Sequence, residues 1–114
     1  VILAFGPTLN TCIDVANDLN ATLVDMRFVK PIDEKAIIKY AKTHKLIVTV
    51  EDNTVHGGAG SAVLEILSKH KIVTPTITIG IPDKFVSHGS QDEIYRQCGL
   101  DKDSIRKKIV MNFK

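Results

Sequence analysis

The sequence predicts an α/β domain of three layers, αβα, built on an open sheet of four parallel strands in the order 2-1-3-4 and covered by about five helices. Three observations predict it. Four short apolar runs alternate with stretches whose apolar residues recur at helical spacing, as in βα units and unlike a bundle or a sandwich. The run Leu46–Val50 is rich in β-branched residues on both faces, as a strand covered by helices on either side must be. Hydrophobic residues make up 44% of the 114, enough for a single domain to bury about two-thirds of its unfolded surface with no metal or disulfide staple.

The elements follow in order. Val1–Phe5 is the first strand, and a residue 1 already inside an apolar run reads as a cut through a larger protein. Leu9, Cys12, Ile13, Ala16 and Leu19 then share a helical face, with Asp14, Asn17 and Asp18 opposite and Asn20 placed to end the helix. Thr22–Asp25 is the second strand. Pro31 keeps Lys30 out of helical geometry, so the second helix starts behind a capping Asp33 and turns Ala36, Ile37, Tyr40 and Ala41 inward. Leu46–Val50 is the third strand, the third helix follows Gly58, and Thr76–Ile79 is the fourth strand. Ser90 with Glu93 forms a capping box, and Gly99 supplies the left-handed residue that ends the fourth helix. A fifth helix from about Asp103 buries Ile105, Ile109 and Phe113. No repeat, linker or low-complexity tract interrupts this series.

Composition excludes several function classes. Fifteen basic and thirteen acidic side chains leave a formal charge of +2, too weak a field for nucleic acid, and Arg106, Lys107 and Lys108 read as a solvated helix face. Cys12 and Cys98 lack metal-ligand spacing and read as buried free thiols, which suits a cytoplasmic protein. No apolar run approaches the roughly 20 residues of a membrane span, and no signal peptide opens the chain.

In the order 2-1-3-4 the chain reverses between the first and third strands, and ligands of open α/β sheets bind beside such a switch point. The loops Gly6–Thr8 and Glu51–Gly58 would flank it. Gly57, Gly58 and Gly60 can be read as a phosphate cradle, as a tight turn with close helix packing, or as an interface loop; the dinucleotide fingerprint is incomplete and no P-loop lysine follows. Glu51 and Asp52 leave a strand on opposite faces, so they cannot share one substrate atom, and Glu51 is placed to cap the glycine loop or the helix after it. His56 and His88 lie on this edge as candidate site residues, whereas His44 and His70 sit beside lysines at helix C-termini, where the helix dipole accounts for them. Asp83, His88 and Ser90 lack a nucleophile elbow, and Ser90 is a cap. Arg27 and Lys30 lie just past the second strand, where Arg27 can hold a carboxylate or a phosphate, or form a local salt bridge.

Three segments carry a resemblance: LVDMRFVKPID at Leu23–Asp33, VTVEDNTVHGGAGSAV at Val48–Val63 and IGIPDKFVSHGSQDEI at Ile79–Ile94. Together with FGP and QCGLDKDSI, they resemble the last domain of the 1-deoxy-D-xylulose-5-phosphate synthase family, over nearly the whole chain. Single motifs are shared with transketolases and pyruvate dehydrogenase β subunits; the combination is more specific. The resemblance implies a transketolase C-terminal-like fold, with one extra antiparallel edge strand contributed from upstream and the second strand left as an edge without it. It also implies that residues 1–114 are the C-terminal piece of a multidomain, homodimeric, cytoplasmic enzyme. Such an enzyme uses thiamine diphosphate and magnesium to join a two-carbon unit from pyruvate, with loss of CO2, to glyceraldehyde 3-phosphate, for isoprenoid, thiamine and pyridoxal synthesis. Both cofactors would be held by upstream domains, so no catalytic, cofactor-binding or metal residue is carried onto this chain, which would be inactive alone. Its partners would be those domains and a second subunit, faced by loops carrying Arg27, Lys30, Glu51, His56, Gly57 and Gly58. The alternatives are the same domain of a transketolase or oxo-acid dehydrogenase β subunit, and a free-standing flavodoxin-like phosphate-binding module.

Overall fold

A computed structural model describes residues 1–27, 32–54, 58–81 and 89–113. The element order is β1 (Ile2–Ala4), a 3-10 turn (Gly6–Thr8), α1 (Leu9–Leu19), β2 (Leu23–Asp25), α2 (Glu34–Thr43), β3 (Ile47–Thr54), α3 (Ala59–Lys69), β4 (Thr76–Ile81), α4 (Gln91–Cys98) and α5 (Lys102–Asn112). Among the described residues the sheet has four parallel strands in the order β2-β1-β3-β4, as expected, with β2 at one edge.

Strand alternation splits the core into two layers. Ile2, Ala4, Val48, Val50 and Ile79 face Cys12, Val15, Ala16, Leu100, Ile105 and Ile109, which cover one side of the sheet. Val1, Leu3, Phe5 and Ile47 face Met26, Ile37, Ala41, Val63, Ile66 and Leu67 on the other. Burying each large aliphatic side chain contributes about 1.5–3 kcal/mol, so the central strand β1, covered on both sides, anchors the domain.

Local signals set the helix ends. Asn20 is left-handed at φ 51 and ends α1, and the Asp33 carboxylate accepts from Ala36 N–H to start α2. Ser90 Oγ accepts from Glu93 N–H at 3.3 Å, and Gly99 at φ 74 closes α4. Asp101 caps α5, which therefore starts at Lys102, just before the expected position.

Four expectations are corrected. Strand β3 does not stop at Val50 but continues to Thr54, because β4 also runs on to Ile81 and places it opposite Thr54 across a bulge. In α1, Val15 is buried and Ile13 is 42% exposed: the buried stripe is Cys12, Val15 and Ala16, and Ile13 lies about 100° round the helix from Cys12. Phe113 is 55% exposed because it leaves the helix in extended geometry, and Cys98 is half-buried.

Candidate functional site

At the C-terminal edge of the sheet, β1 and β3 are stitched together. Phe5 N–H donates to Val50 O at 3.0 Å. The buried Thr8 hydroxyl lies 2.9 Å from Phe5 O and 3.1 Å from Val50 O and shares its one proton between them. Gly6 turns the chain here at φ 66, a left-handed conformation that glycine adopts without strain.

Glu51 is the organising residue of this edge. Its side chain is 1% exposed, with Oε1 accepting from Ala59 N–H at 2.9 Å and Oε2 from Gly60 N–H at 2.6 Å. Gly58 stands at the N-cap of α3 without a side chain to offer, so the strand supplies the capping carboxylate from eight and nine residues away. A buried charge is tolerable there because both oxygens meet backbone donors at the positive end of the helix dipole. Gly60 has a separate task. A Cβ built on it would come within 2.8 Å of both Thr49 Oγ1 and Thr78 Cγ2, so only glycine lets α3 lie this close to β3 and β4. For Gly60, close packing is the reading this geometry supports, and the leading amides of α3 already hold an anion.

Asp52 points to the opposite face, as strand alternation requires, and its Oδ2 lies 3.5 Å from the Tyr95 hydroxyl on α4. Arg27 is left-handed at φ 57, with its N–H donating to Asp25 Oδ1 at 3.1 Å and its Nε 3.6 Å from Asp25 Oδ2. Its side chain is 75% exposed, so this is a local, well-solvated salt bridge of small energetic value. The edge therefore gathers Arg27, Glu51, Asp52 and Gly58, while Lys30, His56, Gly57, Asp83 and His88 lie outside the described residues.

Remaining chemistry-bearing groups lie away from this edge. His70 Nε2 is 2.6 Å from Glu34 Oε1 and Lys69 Nζ is 3.4 Å from it, and these two partners hold the Glu34 carboxyl below its usual range. The helix-end histidine is thus paired with the first turn of the neighbouring helix, a partner that sequence position alone did not suggest. Burial pushes the Cys12 thiol up to about 12, which keeps it protonated and unreactive at neutral pH. Among the described residues, no three His, Cys, Asp or Glu side chains gather to hold a metal ion, and no helix is long and apolar enough to cross a membrane.

Sequence reasoning missed Thr8, Tyr95 and the Thr49–Thr78 floor beneath Gly60. Only for Gly60 was there a signal, since a glycine one residue inside an apolar helix points to close approach of backbones.

Residues 1–105 match the model of the family described as Transketolase, C-terminal domain. The chain belongs to that family. It is 53% identical over 109 residues to 1-deoxy-D-xylulose-5-phosphate synthase of Blochmanniella pennsylvanica and 46% identical over 109 residues to that of Vibrio parahaemolyticus, covering 96% of this chain in each case. It spans 18% of the length of these relatives. Among solved structures it superposes with a TM-score of 0.88 and 29% identity on a split-gene transketolase described as an inactive β4 tetramer, covering 96% of this chain and 37% of the other. The sheet order and the two helical layers described above are thus those of a transketolase C-terminal domain.

Proposed function

We propose that this family member is the C-terminal domain of a 1-deoxy-D-xylulose-5-phosphate synthase. The full enzyme would be a cytoplasmic homodimer joining a two-carbon unit of pyruvate, with loss of CO2, to glyceraldehyde 3-phosphate. The identity of 53% over 109 residues to a synthase of that name carries this reading, and the lower identity of 29% to a transketolase places that chemistry second. Thiamine diphosphate does not fit the described edge of this chain: the α3 amides that would meet a phosphate hold the Glu51 carboxylate, and a second anion would lie against it. The proposal leaves the cofactor and its magnesium to other domains of the full-length protein and gives this domain the task of packing and dimerisation, as the resemblance implies. On this reading the segments carrying Arg27, Lys30, His56, Gly57 and Gly58 face those neighbours, while Glu51, buried in β3, anchors α3 behind them. What supports this is that the Arg27 side chain is exposed.

The test is an assay of the full-length protein for pyruvate-dependent CO2 release with glyceraldehyde 3-phosphate, beside Arg27→Glu in the same background. Turnover dependent on thiamine diphosphate and magnesium is expected, together with lower activity or weaker dimerisation in the variant. No turnover would overturn the enzyme assignment, and an unchanged Arg27→Glu protein would overturn the placement of that loop.

A further inference from the structure

The opposite, N-terminal edge of the sheet carries an apolar cavity of about 400 Å³ lined by Val1, Leu19, Leu46, Val48, Ile109 and Phe113. Two groups of its polar rim are paired with the protein: the Thr22 hydroxyl and His44 Nε2 are 2.8 Å apart, and His44 Nδ1 lies 3.1 Å from Tyr40 O. Left to solvent, a space of about 400 Å³ would hold about a dozen waters on mostly apolar walls, an unfavourable arrangement. Val110 and Phe113 stand at its margin 56% and 55% exposed.

Val1 indicates what covers it. Its nitrogen donates to Leu46 O at 2.9 Å and its carbonyl accepts from Val48 N–H at 2.9 Å, so Val1 is held as a strand residue against the start of β3. Burial lowers the pKa of its amino group, whereas a peptide N–H would keep the same bond with no charge to desolvate. The chain spans 18% of its synthase relatives and matches a domain named for its C-terminal position, so most of a full-length relative lies on the N-terminal side of residue 1. A polypeptide entering Val1 must pass the ends of β2 and β3, where this cavity opens.

We propose that in the full-length protein the segment entering Val1 crosses this cavity in extended form and fills it with apolar side chains packed on Leu19, Leu46, Ile109 and Phe113. The proposal rests on the C-terminal-domain reading above. It makes the N-terminal edge an intramolecular docking surface that fixes this domain to the chain preceding it.

The test replaces Phe113, in full-length protein, with the photo-cross-linking p-benzoylphenylalanine, with Val110 replaced likewise as a second variant. Cross-links within the same subunit to residues within about ten positions before Val1 are expected, the reach of an extended strand across such a cavity at roughly 3.3 Å per residue. Cross-links to a distant domain or to the other subunit, or none from either position, would overturn the proposal. Hydrogen exchange gives a second reading: amides of 43–48 and 106–113 should exchange about tenfold more slowly in the full-length protein than in the 114-residue chain, and equal rates would overturn it. Both readouts are independent of turnover, so a full-length protein without synthase activity would sink the functional assignment and leave the docking result standing.

Discussion

The two ends of the sheet are finished in opposite ways. At the C-terminal end described polar side chains are spent on the protein itself: Glu51 on two helix amides, Thr8 on two main-chain carbonyls and Asp52 beside Tyr95. At the N-terminal end Thr22 and His44 are paired with each other, and apolar walls remain open around Leu19, Leu46, Ile109 and Phe113. Open α/β sheets usually keep their chemistry at the first of these ends. Among the described residues that end spends its polar groups on the protein itself, and the open apolar surface lies at the other, so position in a fold locates where a ligand can bind without saying whether one does.

Four substitutions at three positions measure this contrast, each by urea denaturation of the 114-residue chain. Glu51→Ala should lower stability by about 3 kcal/mol, since it strands two buried amide donors and removes a helix cap at once. Glu51→Gln, which keeps one acceptor oxygen, should lose clearly less. Equal losses in the two variants would show that packing, not the carboxylate, holds this edge. Next, Gly60→Ala should cost about 2 kcal/mol by overpacking against Thr49 and Thr78. If it were neutral, the close approach of α3 would have slack. Smallest is Phe113→Ser, expected to stay within about 0.5 kcal/mol because the ring is half solvated and its cavity unfilled. A loss as large as that of Gly60→Ala would mean the N-terminal edge is already as consolidated as the other, and the contrast would collapse.

Much of the fold was legible because its signals are local. Asp33, Ser90 with Glu93, Asn20 and Gly99 act through atoms within a few residues, and chirality rules then leave few strand orders, of which 2-1-3-4 is the commonest. The use of Glu51 was legible for a related reason: strand alternation separates it from Asp52, and a carboxylate before a glycine-bearing helix start has an evident destination. What escaped depended on partners distant in the chain. The extension of β3 to Thr54 needs Ile81 beside it, and the pairing of His70 with Glu34 joins residues 36 apart. Val15 displaced Ile13 from the core because the sheet and α5 together choose which side of α1 is covered, and periodicity alone defines that stripe only to within one residue.

The burial of Cys12 gives the domain a built-in clock. A thiol that is 0% exposed, with burial pushing its pKa up to about 12, can be alkylated only after α1 has parted from the sheet, so its labelling rate counts openings. Half-buried Cys98, at the end of α4, should react sooner and supply an internal reference for the same reagent. Two intrinsic cysteines thus allow the breathing of helix against sheet to be timed in the unaltered chain, without a probe that would itself disturb the packing.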